Sequence, residues 1–505
     1  MGVPILAQYT IRSKQSYIFQ TNKILEIVGA SVNISNAWDV LFTCAANAGA
    51  KAEKCSSKTE FILSESLKKF SEGTLQMVEL FRGGGNATVL FDSMESYIEV
   101  NKAFSFTLIK EYPGMIPMAV CTEYTGNYRK DYAALMEEAE RKKNRMVPAV
   151  EQFILPFSQM DRNTFSPLSV KDRKGEKLSY ESLSKRKAGI AVRDDDVKIL
   201  DEMTTLRGEE SLLAVVHADG NNMGSKIMDL LGEETGYDAC VSKMRRFTAT
   251  TANVFSTFGV EKMKECRDHL RRKYAGAKLS RKYYAFRMII ADGDDLTFVC
   301  NARFVMDYVK TYLNAVQSFR ETTGTDWTYS SCAGICIFHS HYPFSKAYSI
   351  AEQACDSAKE KVHRVDHEGK QDPIEECWID YHFIHSGLGG DLSELRKRQG
   401  TDECQARPWR IGVQGTAADE DFAKMEELAG ILKEYKVSRG DVKTVGNAFE
   451  ISHKEDAYRE LDRVCGHHKG LKAKLDNMFA EKDRMLRTWY DLAEIYDLWF
   501  QEVKI

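Results

Sequence analysis

Four aspartates set the chemistry this chain can attempt. In MIIADGDDLTFVC, residues 288–300, an apolar run enters Asp-Gly and leaves as a second apolar run, with Asp292, Asp294 and Asp295 crowded at the junction. Asp-Gly between strand-like runs is a hairpin signal, because glycine accepts positive φ and aspartate tolerates it. Gly293 is the residue such a turn requires. Two further carboxylates exceed what a turn needs, and on this stretch alone a plain hairpin and a metal-holding tip both stand open. Asp219 closes another strand-like run, SLLAVVHADG, residues 211–220.

Carboxylates converging from two strands suit Mg²⁺ (or Mn²⁺), a hard cation that takes one or two protein carboxylates together with phosphate oxygens. Two such ions polarise a 3′-hydroxyl and neutralise a departing pyrophosphate. Neighbouring strand residues point to opposite faces, so only one of Asp294 and Asp295 can face Asp219 if both lie on a regular strand. Asp294 is expected as the nearer ligand, with Asp295 assisting from a twisted or bulged tip and Asp292 in the turn. After Asp219 the chain passes Gly220, Asn221, Asn222 and Gly224 into a helical pattern. Such a helix start offers free N–H groups to an anion, although no GxxxxGK[ST] is present. Lys359 and Lys361 reach a triphosphate as point charges if their helix faces the site, and form an exposed basic face if it does not.

Placing these residues needs a scaffold, and the order of elements supplies one. From residue 211 a buried strand, a long helical stretch, two strands about the Asp-Gly turn, a helix, the strand TYSSCAGICIFHS and the amphipathic helix PFSKAYSIAEQACDSAKEKVHRV follow one another. Asn301 is a plausible N-cap for the middle helix. This βαββαβ order is the ferredoxin-like unit. The N-terminal quarter repeats it, with Gly83-Gly84-Gly85-Asn86 at the hairpin tip in place of the carboxylates. The predicted fold class is therefore α+β: two ferredoxin-like domains, which the resemblance given below implies are palm domains, and a C-terminal all-helical domain. The boundaries read as 1–146 for the first ferredoxin-like domain, 147–208 for a loop-rich connector, 209–370 for the second and 371–505 for the helical domain. Asp194-Asp195-Asp196 in the connector reads as a solvated charge run. The terminal aromatics Trp489, Tyr490, Tyr496, Trp499 and Phe500 read as core rather than a base-stacking platform.

At 505 residues the chain buries large cores without staples. A net charge of −4 restricts any nucleic-acid contact to a local basic patch. No run is long and apolar enough for a membrane helix, and no signal peptide or myristoylation pattern opens the chain. The 12 cysteines are scattered and read as reduced, cytoplasmic thiols. His339 with His341, and Cys465 with His467 and His468, lack a second ligand pair for a metal site.

The segments ADGNNMG, ADGDD, SSCAGICIFHSHYP and SAKEK together resemble the second palm domain of the large subunit of type III CRISPR effector complexes. QSYIFQTNKILEIVGAS is similar to the start of that family's first palm, and IDYHFIHSGLGGDL with RPW to its segment before the helical domain. Those proteins carry a GGDD hairpin and convert ATP to cyclic oligoadenylates. The resemblance implies Asp219, Asp294 and Asp295 as metal ligands and Lys359 as a triphosphate contact. It also implies Ser330, Ser331 and Gly334 as the strand lining the nucleotide. Four departures accompany it: Asp-Gly-Asp-Asp replaces Gly-Gly-Asp-Asp, and Asn221 stands where a second carboxylate is frequent. No HD nuclease precedes the first palm, and FSQMDRNTFSPL lies where zinc-binding cysteines are usual. A stand-alone relative is the expectation.

The function expected is an Mg²⁺-dependent nucleotidyltransferase that makes a cyclic nucleotide or oligonucleotide messenger from nucleoside triphosphates, ATP foremost, in antiviral defence. The alternative is a scaffolding large subunit that binds RNA and CRISPR-like subunits with weak or no synthesis. A simple purine nucleotide cyclase is the third reading. Self-association is left open.

Overall fold

The computed structural model describes residues 2–55, 60–145, 157–162, 164–173, 175–192, 212–277, 281–320, 327–363, 374–385, 390–399, 403–412, 417–452 and 454–500. They divide into two compact units. The first comprises 1–202, 222–256 and 289–295, and the second 203–221, 257–288 and 296–505. The Asp194–Asp196 run lies outside the described residues.

The first sheet is built from β1 (Ile5–Arg12), β2 (Ala52–Glu53), β3 (Met77–Gly83), β4 (Asn86–Phe91) and β5 (Ile116–Glu123), in the order β2-β3-β4-β1-β5. Without the two-residue β2, this is the strand order of a ferredoxin-like unit. Its apolar strands bury because both neighbours of β1 and β4 are strands of the same sheet. The sheet packs Leu6, Val78, Leu80 and Leu90 against Tyr237, Cys240, Val241 and Met244. Those four belong to helix Tyr237–Thr251, which the chain order places inside the second palm. Arg245 of that helix donates to the carbonyls of Glu79 (2.8 Å) and Leu80, where the β3–β4 register shifts.

The connector is more ordered than its weak periodicity predicts. It forms a small hairpin, β6 (Val170–Lys171) with β7 (Lys177–Leu178), and helix Tyr180–Ala191. Ser179 caps that helix by accepting from Ser182 N. The helix lies against Ile24–Asn47 through two glycines: a β-carbon on Gly29 would collide with Lys185 O, and one on Gly189 with Leu25 O. Its buried groups are polar pairs, Lys185 with Glu181 (2.7 Å) and Arg186 with Glu26 (2.7 Å). A helix held by glycine contact and ion pairs leaves no apolar stripe to read in the sequence.

The second sheet holds β8 (Leu212–Gly220), β9 (Phe286–Asp292), β10 (Asp295–Asn301), β11 (Ser331–His339), β12 (Cys377–Phe383) and β13 (Trp409–Ile411). Their order is β13-β12-β11-β8-β10-β9. Four of these strands again give the ferredoxin-like order. Strand β12, assigned from sequence to the C-terminal domain, instead extends this sheet parallel to β11, and β13 follows it antiparallel. Asn301 accepts from Arg303 N (2.9 Å), as an N-cap does.

The segment from Phe422 onward is helical, and Trp489, Tyr490 and Tyr496 are buried in it. The RPW stretch is a structural tie. Asp491 accepts from the backbone N–H of Ala406 and Arg407 and from Trp409 Nε1. Arg407 stacks 4.1 Å from the Tyr381 ring centroid and pairs with Glu494. No disulfide links the described cysteines, and among the described residues no helix is long and apolar enough to cross a membrane.

Candidate active site

Strand β8 is the central element of the site. It is buried along most of its length because β11 and β10 flank it. Its last residues emerge at one end of the sheet, where Asp219 opposes Cys332 and Gly220 opposes Ser331. On the other side the β8–β10 ladder runs to Ala218 opposite Leu296. His217, two residues before Asp219, and Thr297 are ladder partners, with His217 Nδ1 3.3 Å from Thr297 Oγ1. By the alternation of a strand, Asp219 lies on the face of His217. Burial pushes the His217 imidazole pKa down, and Asp219 opposes that fall.

The turn divides the three hairpin carboxylates between strand and loop. Asp292 ends β9, Gly293 and Asp294 form a two-residue loop, and Asp295 begins β10. Gly293 has φ 63°, as a loop with glycine at its first position requires. Asp294, expected as the nearer strand ligand, is thus a turn residue, and Asp292, expected in the turn, is a strand residue. Among the described residues no three His, Cys, Asp or Glu side chains converge as a ready ligand set.

Asp219 is held by a cation of the protein. The Lys359 ammonium is ion-paired with its carboxylate and lies 3.4 Å from the Gly220 carbonyl. Burial acts to lower the Lys359 pKa, but the charge and hydrogen bond of Asp219 carry it above the ordinary lysine value. Lys361, two residues on, is directed elsewhere. It sits over the Trp378 ring, 5.7 Å from the centroid, and 4.0 Å from Glu420.

The remaining candidates divide by what they touch. Asn222 has left-handed φ 58° and its carbonyl accepts from Lys226 N, so it starts helix Met223–Leu231. A β-carbon added to Gly224 would meet nothing within 4 Å, so the first turn of that helix is open on this side. Ser330 and Ser331 are buried and engaged. Ser330 Oγ donates to Glu375 (2.7 Å) and accepts from Asn221 Nδ2 (2.9 Å), while Ser331 Oγ donates to the Asp219 carbonyl (3.0 Å). Gly334 serves packing: a β-carbon there would collide with Ala351 O and Cys355 N of helix Phe344–Lys359. Asn221 donates its second amide hydrogen to the Glu376 carbonyl (2.9 Å), which a carboxylate at that position cannot do.

One residue at the hairpin tip escaped the sequence reading. Lys14 Nζ donates to the Gly84 carbonyl (3.0 Å) in the first unit. Gly85, beside it, faces both Lys14 and Asp292: an added β-carbon would collide with Lys14 Nζ and lie 3.2 Å from Asp292 Oδ2. Burial raises the Asp292 pKa and Lys14 opposes that rise. No local pattern marks Lys14, because its partner is distant in the chain.

The strand order and the acidic end of β8 define a palm-type domain. Residues 212–366 match the family model described as Cas10/Cmr2, second palm domain. A search of curated proteins finds none that matches the sequence. Among solved structures, a Csm1–Csm4 cassette in complex with cA4 is similar at 10% identity, TM-score 0.49, over 98% of this chain and 70% of that one. The apo Csm1–Csm4 cassette is similar at 11% identity, TM-score 0.49, over 98% and 70%. Csm1 of T. onnurineus is similar at 12% identity, TM-score 0.46, over 97% and 69%.

Proposed function

We propose that the chain is a metal-dependent nucleotidyltransferase that joins nucleoside triphosphates, ATP foremost, into a cyclic nucleotide or short cyclic oligonucleotide. The 3′-oxygen of one nucleotide attacks the α-phosphorus of another. The bond to the bridging oxygen breaks, pyrophosphate leaves, and the hydroxyl proton passes to solvent. The observation that carries the reading is the acidic end of β8 within a segment that matches the Cas10/Cmr2 second palm, with Lys359 drawn to Asp219 as a cation would be.

The residues present fit Mg²⁺ or Mn²⁺ as a pair of hard oxygen donors, Asp219 and Asp295, with Asp294 beside them in the turn. Such an ion, when bound, supplies the positive charge that makes a 3′-hydroxyl nucleophilic and offsets charge on phosphate oxygens. Asp219 and Asp295 would hold it from adjacent strands. The N–H groups at Asn222–Gly224 would receive phosphate oxygens, aided by the helix dipole. Lys359 would meet the triphosphate as a point charge.

A second reading, a scaffolding large subunit for an RNA-guided complex, draws on two observations. Asn221 replaces a frequent carboxylate and engages both its amide hydrogens in structure, and no three-ligand set is preformed among the described residues. The deciding experiment is incubation with each labelled nucleoside triphosphate and Mg²⁺ or Mn²⁺, with and without RNA. Release of pyrophosphate that Asp219→Asn abolishes supports the synthase. No release under any condition overturns it in favour of the scaffold.

A further inference from the structure

The Lys359–Asp219 pair is fixed by backbone packing and is not a chance meeting of two long side chains. Gly334 lets helix Phe344–Lys359 approach β11 until Ala351 O and Cys355 N stand where a β-carbon would be. Cys355 Sγ then donates to the Cys332 carbonyl (3.3 Å). Cys332 is the ladder partner of Asp219. Lys359, one helical turn beyond Cys355, therefore arrives at Asp219 by construction. It ends the helix, where the dipole favours a cation. The pair is partly shielded, with side chains 19% and 32% exposed.

We infer that Lys359 is a displaceable counter-ion that masks Asp219 until a nucleotide arrives. The inference rests on the nucleotidyltransferase reading and deepens it. A carboxylate that already holds an ammonium has less to offer a divalent cation. A bound triphosphate gives Lys359 a second anion to pair with. Its ammonium leaves Asp219 for the phosphates, and Asp219 is released as a ligand. Nucleotide and divalent cation are thereby coupled through one side chain. By linkage, each strengthens the other's binding by the same factor. The protein so built binds free divalent cation poorly and loads it together with substrate.

The test uses Mn²⁺ alone, followed by electron paramagnetic resonance on the full chain, and 3′-deoxyATP as a nucleotide without the reacting hydroxyl. Lys359→Met is expected to bind Mn²⁺ about fivefold or more tightly than wild type without nucleotide, a coupling in the usual range. Lys359→Arg, which keeps the charge, is expected to stay near wild type. Equal Mn²⁺ affinity in wild type and Lys359→Met overturns the masking role alone. Failure of both proteins to bind Mn²⁺, with or without 3′-deoxyATP, overturns the enzymatic reading with it. A second measurement needs no variant: acetylation of Lys359 in the wild-type protein, read by mass spectrometry. Mn²⁺ alone is expected to raise it only near saturation, where the cation displaces the ammonium, and added 3′-deoxyATP to lower it again. Labelling indifferent to saturating Mn²⁺ overturns the inference.

Discussion

Lys14 and Asp292 both face Gly85, at a hairpin tip built from three glycines in one copy of the fold and from acidic residues in the other. The pairing explains how this chain tolerates Asp-Gly-Asp-Asp. The added carboxylate is half-buried, and the lysine that offsets it also donates to Gly84.

Removing that lysine should therefore cost stability at the tip. Lys14→Met is expected to destabilise the first unit by about 1 kcal/mol, the scale of a partly solvated charged contact. For a unit of this size that is roughly 2–4 °C in the unfolding midpoint. Asp292→Gly in the same background should restore most of the loss, because the carboxylate that needed the lysine is gone. Thermal melts of the two single variants and the double variant measure the coupling.

Asn221→Asp tests why an amide stands where a carboxylate is frequent in the resembled family. The amide donates to Ser330 Oγ and to the Glu376 carbonyl. A carboxylate would face that carbonyl with no hydrogen to give. A loss of about 2 kcal/mol is expected, seen as a lower melting temperature. A more acidic residue should thus make the protein worse, and a melt at or above the wild-type midpoint would refute the structural role.

Gly334→Ala separates packing from nucleotide contact. The β-carbon meets backbone atoms of helix Phe344–Lys359, which cannot move aside without shifting the helix. A cost of about 3 kcal/mol is expected, at the upper end of overpacking. Melting temperature should fall steeply. A variant with the wild-type melt but weakened binding of 3′-deoxyATP would instead assign Gly334 to the nucleotide.

Position in the hairpin ranks the two carboxylates. Asp295 begins β10, the strand beside β8, and Asp294 lies in the turn. Asp295→Asn is expected to abolish pyrophosphate release, about 100-fold or more, with Asp294→Asn the milder variant. Turnover assays at saturating Mn²⁺ compare them, and the reverse ranking would assign the ligand role to the turn residue.

Acid should weaken the second unit through His382. This ring is buried on β12, neither nitrogen has a hydrogen-bond partner among the described residues, and burial pushes its pKa down to about 3. An unfolded histidine titrates near 6.5. Between those values the unfolded chain binds a proton that the folded one refuses, so stability falls as pH falls through that window. Asp491 acts in the opposite sense: burial pushes its pKa up to about 6, so below that value the folded form holds a proton the unfolded chain releases. His382→Phe should flatten the acid side of a plot of melting temperature against pH between 7 and 5. An unchanged slope would remove His382 as the cause.

Local pattern carried much of this. Strand β8 is a continuous apolar run because both neighbours are strands, and such a run is legible. The Asp-Gly turn announced its hairpin because only a few residues accept positive φ. The two βαββαβ copies followed from the order of periods, since each element buries its own apolar face. Helix Tyr180–Ala191 stayed hidden because glycine contacts and ion pairs hold it. Strand β12 was legible as a strand but not as part of the second sheet, because an edge offers its backbone to whichever strand the chain brings near.

The site divides along the same line. Residue type and spacing singled out Asp219, Asp294 and Asp295 as candidates, with Lys359 and Lys361 beside them, since carboxylates and ammonium groups at element ends declare their chemistry wherever they sit. Which hairpin carboxylate lies on a strand and which in the turn, that Lys359 already holds Asp219, and that Lys14 answers Asp292 were decided by tertiary structure alone. Those are facts of register and approach between segments far apart in the chain, and a linear pattern holds no distance between them.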